Sequence, residues 1–369
     1  MSKRNKKRLT RRQQEIRRKR LKKRKRRRAI VIIIELIILC ILGTTAFALF
    51  KLGKMERTSL TNIKNNGLKQ TGYTNIALFG LDSRGKSLGK GNRTDTIMVA
   101  SINNETKKVK LISVYRDTML KQNGEHYDKA NAAYSVGGPE TAVNMLNENL
   151  DLDIQDYVSV NFLALADVID MVDGITVKMT DEEVVHMNNY CVETSKVTGK
   201  KYKKIEPAVA GTYKLNGVQA VSYARIRYTA GGDYKRTERQ RLVLEKTANK
   251  LKKQNLATIN KIIDKVMPEV STSFSTKEIL ALASGAFDFE LGETSGFPFD
   301  LETPDSVPGY SGSYVIPKGL EENVIKLHEF LFPDEDYTPT ETVTNISDTL
   351  INMTNVYPST TGSGTSQYE

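Results

Sequence analysis

Cysteine, histidine and tryptophan are nearly missing from this chain of 369 residues: two cysteines, three histidines and no tryptophan. Cys40 falls inside a long apolar run and Cys191 far outside it, so the two form neither an intramolecular disulfide nor a zinc cluster. The folded part must therefore be held by an ordinary hydrophobic core. His126, His186 and His328 stand far apart in unremarkable contexts, which gives histidine catalysis no support. No His-Glu-x-x-His pair or Cys-x-x-Cys pair is present either. The common signatures of zinc proteases and thiol redox enzymes are thus excluded.

What is present is laid out unevenly. Residues 1–28 hold eighteen Lys and Arg against Glu15, a net of +17 in a chain whose formal total is +12, so the remainder is at −5. Directly behind this tail lie 22 residues, 29–50, with Glu35 as their one charge. About 20 apolar residues span a bilayer, and a cleaved signal peptide has a shorter apolar core and a small-residue cleavage site. The run is expected to be an uncleaved single N-terminal transmembrane helix. By the positive-inside rule 1–28 stays cytoplasmic and everything after about residue 51 is extracellular. The tail is expected to meet anionic membrane lipid. Nucleic acid is not its expected partner, because no helix-turn-helix or aromatic-interleaved motif accompanies the charge.

Residues 51–72 are polar and read as a linker, and 73–335 as the exported domain. Strand patterns cover 75–82, 94–102, 109–115, 157–161 and 175–179; helical patterns cover 139–150 and 162–172. This alternation argues for an α/β layered domain. Residues 181–210 are rich in Lys and Glu with weak periodicity and read as a surface excursion. Later helices are expected over 259–267, 276–287 and 320–332. Residues 336–369, rich in Thr, Ser, Asn and Gly, are expected to be disordered.

The stretch 223–241 concentrates Arg225, Arg227, Arg236, Arg239 and Arg241, with Asp233 and Gln240, around Gly231-Gly232. Read as a helix over 233–251, it places Arg236, Gln240, Val243, Leu244, Thr247 and Leu251 on one stripe. Glu238, Arg241, Glu245 and Lys252 fall opposite. Inward-facing guanidinium groups need anionic partners, and phosphate suits the planar fork. Asp82 and Asp95, at a strand end and a strand start, are candidates to hold a hard cation together. Magnesium fits, since it takes few carboxylates and completes its shell with water and phosphate oxygens; Mn²⁺ is its substitute. Arg93, Arg116, Arg225, Arg227 and Arg236 are the candidate phosphate ligands. Such a set suits displacement at phosphorus, where positioning and charge neutralisation carry catalysis.

Five motifs in order resemble the LytR-CpsA-Psr family over roughly residues 73–255. They are Phe79-Gly-Leu-Asp-Ser-Arg84, Arg93-Thr-Asp-Thr-Ile-Met98, Val114-Tyr-Arg-Asp-Thr118, Asp128-Lys-Ala-Asn131, and Tyr223-Ala-Arg-Ile-Arg227 running on to Arg236-Thr-Glu-Arg-Gln-Arg241. Two departures are mild: Tyr115 stands where proline is frequent, and Ala130 interrupts a Lys-Ile-Asn-like run. The resemblance implies an α/β fold with a central mixed β-sheet flanked by helices and an apolar lipid cavity. It also implies an Mg-dependent phosphotransferase of the cell membrane. Such an enzyme moves an anionic glycopolymer (teichoic acid or capsule type) from undecaprenyl diphosphate to the muramic acid 6-hydroxyl of peptidoglycan. Mapped by motif, Asp82 and Asp95 take the metal. Arg93, Arg116, Arg225, Arg227, Arg236 and Gln240 grip the diphosphate. Arg84, Lys129 and Arg239 are candidates for further substrate contact, and the parts themselves make Asp95 or Asp233 the candidate proton acceptor. Three alternatives stay open: a prenyl diphosphate phosphatase at the same site, a membrane-anchored regulator whose basic tail binds nucleic acid, and a binding module without chemistry.

Overall fold

Apolar residues fill both sides of the strand that opens the domain. In Tyr73–Leu81 (β2), Ala77, Phe79 and Leu81 point to one face of the sheet and Ile76 and Leu78 to the other, the period-two pattern of a strand covered twice. The computed structural model describes residues 56–82, 88–285 and 288–359. The basic tail, the apolar run expected to be an anchor, and Arg84 lie outside the described residues. Among these residues no helix is long and apolar enough to cross a membrane.

The main sheet has seven strands in the order β1-β10-β7-β2-β3-β4-β11. β1 is Glu56–Arg57, β3 Thr94–Asn103, β4 Lys108–Val114, β7 Ile154–Asn161, β10 Val270–Thr272 and β11 Glu290–Phe297. β2, β3 and β4 run antiparallel in succession, while β7 lies parallel to β2 and β11 parallel to β4. The sheet is therefore mixed, as expected. Three two-stranded sheets complete the set: β5 (Met119–Lys121) with β6 (Tyr127–Lys129), β8 (Ile175–Met179) with β9 (Gly211–Leu215), and β12 (Leu301–Glu302) with β13 (Ile316–Pro317).

Helices cover both faces. Helix α1 (Ala132–Leu150) starts seven residues before the expected Pro139 and is kinked at Gly138. Its Ala142, Val143 and Leu146 join Phe79, Ile97, Val99 and Ile112 in the largest core cluster. On the opposite face lie α2 (Phe162–Met171), α4 (Gly217–Ala224), α5 (Gly232–Leu251) and α6 (Leu256–Val266). There Ala164, Val172, Ile262, Val266 and Val270 form a smaller cluster.

Three expectations need correction. Residues 181–210 are no loose excursion: α3 (Asp181–Thr198) opens with a Thr180/Glu183 capping box and buries Val184, Met187 and Cys191. Its apolar stripe is diluted by buried Asn188, Thr194 and Thr198, which weakens the periodicity. The linker beyond residue 55 is packed down rather than free. Leu60 and Ile63 rest on the core, and α1 side chains hold the backbone, Glu140 accepting from Thr61 N–H at 2.7 Å and Asn144 from Lys64 N–H at 2.8 Å. Nor are residues 336–359 disordered. α7 (Thr276–Gly285) and α8 (Leu320–Leu331) are followed by a further helix, α9 (Glu341–Thr354), which buries Val343, Ile346 and Leu350. Those three sit at i, i+3 and i+7 within a polar composition. Asp151 locks the segment in place, accepting from Tyr337 Oη at 2.5 Å and from Thr340 N–H at 2.9 Å.

Candidate active site

The β2/β3 register creates the site. Gly80 pairs with Thr96 and Leu81 with Thr94, so Asp95 occupies a bulge near the end of the ladder. A side chain at Gly80 would collide with Thr96, whose Cβ lies 2.9 Å from the position a Cβ there would take. The ladder ends as Asp82 N–H donates to the Arg93 carbonyl at 3.2 Å. Asp82 and Asp95 thus lie at the same end of neighbouring strands. The string Gly80–Ser87 spells Gly-x-x-x-x-Gly-Lys-Ser, yet Gly80 is still paired within β2 and the next described element is the antiparallel β3, not the helix a phosphate-binding P-loop requires.

Around Asp95 the arginines gather. Arg116 Nη1 donates to Asp95 Oδ1 at 2.5 Å, Arg227 Nη2 lies 3.5 Å from the same oxygen, and Gln240 Nε2 reaches the Asp95 carbonyl at 3.4 Å. Burial pushes the Asp95 carboxyl up, but Arg116, Arg236 and Arg227 together hold it below its ordinary value. Arg236 is the most confined of the group, at 2% exposure. One nitrogen, Nη2, pairs with Asp233 Oδ1 at 2.7 Å; Nε and Nη1 are buried without a hydrogen-bond partner. Burial, with Arg227 and Arg116 nearby, pulls its guanidinium down to about 10 despite Asp233. Each buried donor left unpaired costs about 1–3 kcal/mol, so this arrangement is expensive unless an anion arrives. Burial likewise raises the Asp233 carboxyl.

Beside these charges opens an apolar cavity of about 260 Å³. Leu78, Met98, Val158 and Val160 of the sheet, Phe162 of α2, Val221 of α4 and Val243 of α5 wall it, with Asp95, Arg225, Arg236 and Gln240 also in its lining. One ligand with an anionic head and an apolar tail would satisfy both halves.

The remaining predicted residues divide. Arg225 lines the cavity, but its guanidinium is committed to Glu193 at 3.1 Å and Thr194 at 3.1 Å and lies over the Phe162 ring. Arg93 is exposed, with no ion pair among the described residues. Lys129 Nζ pairs with Asp117 at 3.2 Å, and Asp117 also accepts from Arg116 Nε at 3.3 Å. Asp117, within the Val114–Thr118 motif, thereby joins the site with no signal in the sequence to mark it. Arg239 is corrected: it points away from the cavity, where Glu183, the Ile226 carbonyl and Thr229 take its three nitrogens at 2.8, 3.2 and 2.7 Å. It braces the loop that carries Arg227 and is not placed to touch a ligand at Asp95. Tyr115, the departure from proline, packs edge-on against Tyr234 at 4.8 Å and buttresses the first turn of α5.

Asp82 and Asp95 offer two hard carboxylates, the number magnesium uses when phosphate and water complete its shell. Asp95 Oδ1 is taken by the arginines, while its Oδ2 makes no hydrogen bond or ion pair among the described residues. Among those residues no three of His, Cys, Asp and Glu gather at metal-ligand range. The donor set therefore fits a cation that depends on its substrate for the rest of its ligands.

Comparison with known proteins gives the family and the fold. The chain is 31% identical over 254 residues to Biofilm regulatory protein A of Streptococcus mutans, a match covering 65% of this chain and 60% of that protein's length. It is 27% identical over 322 residues to the polyisoprenyl-teichoic acid–peptidoglycan teichoic acid transferase TagV of Bacillus subtilis, covering 82% and 78%. Among solved structures, B. subtilis TagT with a bound octaprenyl pyrophosphate lipid shares the fold, with a TM-score of 0.53 at 21% identity over 74% of this chain and 99% of that one. The sequence profile of the LytR_cpsA_psr family matches residues 44–293, and the chain belongs to that family.

Proposed function

We propose that this chain is a membrane-anchored phosphotransferase acting outside the cell. It moves an anionic glycopolymer from a polyprenyl diphosphate carrier to a peptidoglycan hydroxyl and forms a phosphodiester. The observation that carries the reading is Arg236, buried with two unpaired donors beside an apolar cavity. A diphosphate supplies the missing acceptors, and the prenyl chain fills the cavity. Support comes from TagV, named as a transferase of this kind, and from TagT, which holds a prenyl pyrophosphate in the same fold.

The residues divide the work. Arg236, Arg227 and Arg116 receive the diphosphate, and the charge building on the departing lipid phosphate falls to them. Asp82 and Asp95 would hold Mg²⁺, which supplies neutralisation of phosphate charge when bound. Of the two carboxylates expected as proton acceptor, Asp233 is raised by burial and Asp95 held down by its arginines. Asp233 is thereby the more basic of the two, though both its oxygens already face Arg236 Nη2. Asp95 remains ionised and keeps Arg116 and Arg227 together.

The test is reconstituted transfer, with full-length protein, a polymer-loaded prenyl diphosphate and peptidoglycan. Asp82→Ala and Arg227→Ala are each expected to lose transfer by about 100-fold while melting like the wild type. Near-normal transfer by both variants would remove this site. Release of free polymer with no attachment to peptidoglycan would mark a phosphatase instead.

A further inference from the structure

The family match ends at residue 293, yet a later segment reaches the site. Residues 307–315 lie against the Arg116–Thr118 motif. Val315 N–H donates to the Asp117 carbonyl at 2.9 Å, Met119 N–H donates to the Val315 carbonyl at 2.9 Å, and Thr118 and Val315 form a parallel bridge. This anchoring sets two tyrosines beside the charged cluster. Tyr314 Oη donates to Asp128 Oδ1 at 3.0 Å, and Lys129 Nζ sits 4.8 Å over the Tyr314 ring. Tyr310 packs edge-on against Tyr314 at 5.6 Å and is half-buried, between the exposed Gly309 and Ser311.

Contacts connect this patch to the residues proposed to receive the diphosphate. Asp95 lines the apolar cavity; from it they pass to Arg116, then Asp117, then Lys129, then Tyr314, and none of these last four lines the cavity. Transfer by in-line displacement needs the attacking hydroxyl on the side of phosphorus away from the leaving lipid phosphate. With the lipid in the cavity, the attacking group must come from elsewhere around Asp95, and the Arg116 side is where this patch lies. We propose that Tyr310, Tyr314, Asp128 and Lys129 form the subsite for the acceptor sugar. Tyr310 suits a pyranose, since its half-buried ring offers an apolar face and its hydroxyl a polar tip, while the buried Tyr314 holds Tyr310 and Asp128 in place. The Asp128 carboxylate accepts from sugar hydroxyls, and Lys129 donates to them. Burial and the Asp128 contact push the Tyr314 phenol up to about 12, which keeps it a donor.

This assignment rests on the transfer reading and is tested so that the two fail differently. Full-length protein is assayed at saturating donor with a soluble peptidoglycan oligosaccharide varied, and octaprenyl diphosphate binding is measured in parallel. Tyr310→Ala is expected to raise KM for the oligosaccharide about tenfold, with octaprenyl diphosphate affinity unchanged. Tyr314→Phe, which deletes only one hydroxyl from a buried ring, is expected to raise it less. An unchanged acceptor KM in Tyr310→Ala overturns the subsite, as does an equal loss of octaprenyl diphosphate affinity. A wild type that binds the diphosphate but transfers nothing to the oligosaccharide removes the transfer reading, and the subsite with it.

Discussion

Two arginines three residues apart on α5 are both buried, and they live in opposite circumstances. Arg239 spends its donors on Glu183, a main-chain carbonyl and Thr229, all from the protein. Arg236 has one carboxylate partner and two buried donors with none. A charge satisfied by its own fold is a structural brace. A charge that the fold buries and leaves short is a socket, and the missing acceptors describe the ligand. Burial alone does not separate the two; the count of unmade hydrogen bonds does.

Several substitutions break or sharpen this contrast. The largest effect belongs to Arg236→Gln, expected to lower transfer by at least about 100-fold. Its loss of unfolding free energy should be smaller than that of Arg239→Ala, because two unpaired buried donors leave with the charge and offset part of the cost of stranding Asp233. A collapse of stability in that variant would make Arg236 a brace like its neighbour. Arg239→Ala should do the reverse, costing about 3 kcal/mol in denaturant unfolding by stranding Glu183. Its transfer, measured well below the transition, should fall only as far as the Arg227 loop loosens.

Away from α5, burial lowers His328, which stacks on Tyr337 at 3.6 Å and hydrogen-bonds to the Leu150 carbonyl at 3.0 Å. Below its ordinary 6.5 the unfolded chain takes up a proton that the folded one resists, so stability falls as pH drops through that range. His328→Gln should flatten that slope in melts between neutral and mildly acidic pH. An unchanged slope would place the pH dependence elsewhere. Smallest is Thr340→Ala, which removes the N-cap of α9 and a contact to Asp151; about 1 kcal/mol is expected.

Much of the site was legible because its signals were local. Arg236 and Gln240 fell on the inward stripe of α5 through helical periodicity alone, and the strand ends bearing Asp82 and Asp95 followed from alternation and a polar loop. Arg239 was misjudged because its partner Glu183 lies 56 residues away, across a fold that the sequence does not display. The packed segments 56–72 and 336–359 were missed for a related reason. Asn, Thr and Gln side chains tie much of them to α1 and Asp151, and such hydrogen bonds leave no hydrophobic period to read. The aromatic patch at Tyr310 and Tyr314 was equally hidden, since long-range pairing of Val315 with Asp117–Met119 brings it to the motif residues.

The most direct measurement is octaprenyl diphosphate titrated into full-length wild-type protein and Arg236→Gln, with octaprenol lacking phosphate as control. The account predicts binding weakened at least tenfold by the substitution for the diphosphate, about 1.4 kcal/mol or more, and unchanged for the alcohol. Equal diphosphate affinity in both proteins would contradict it.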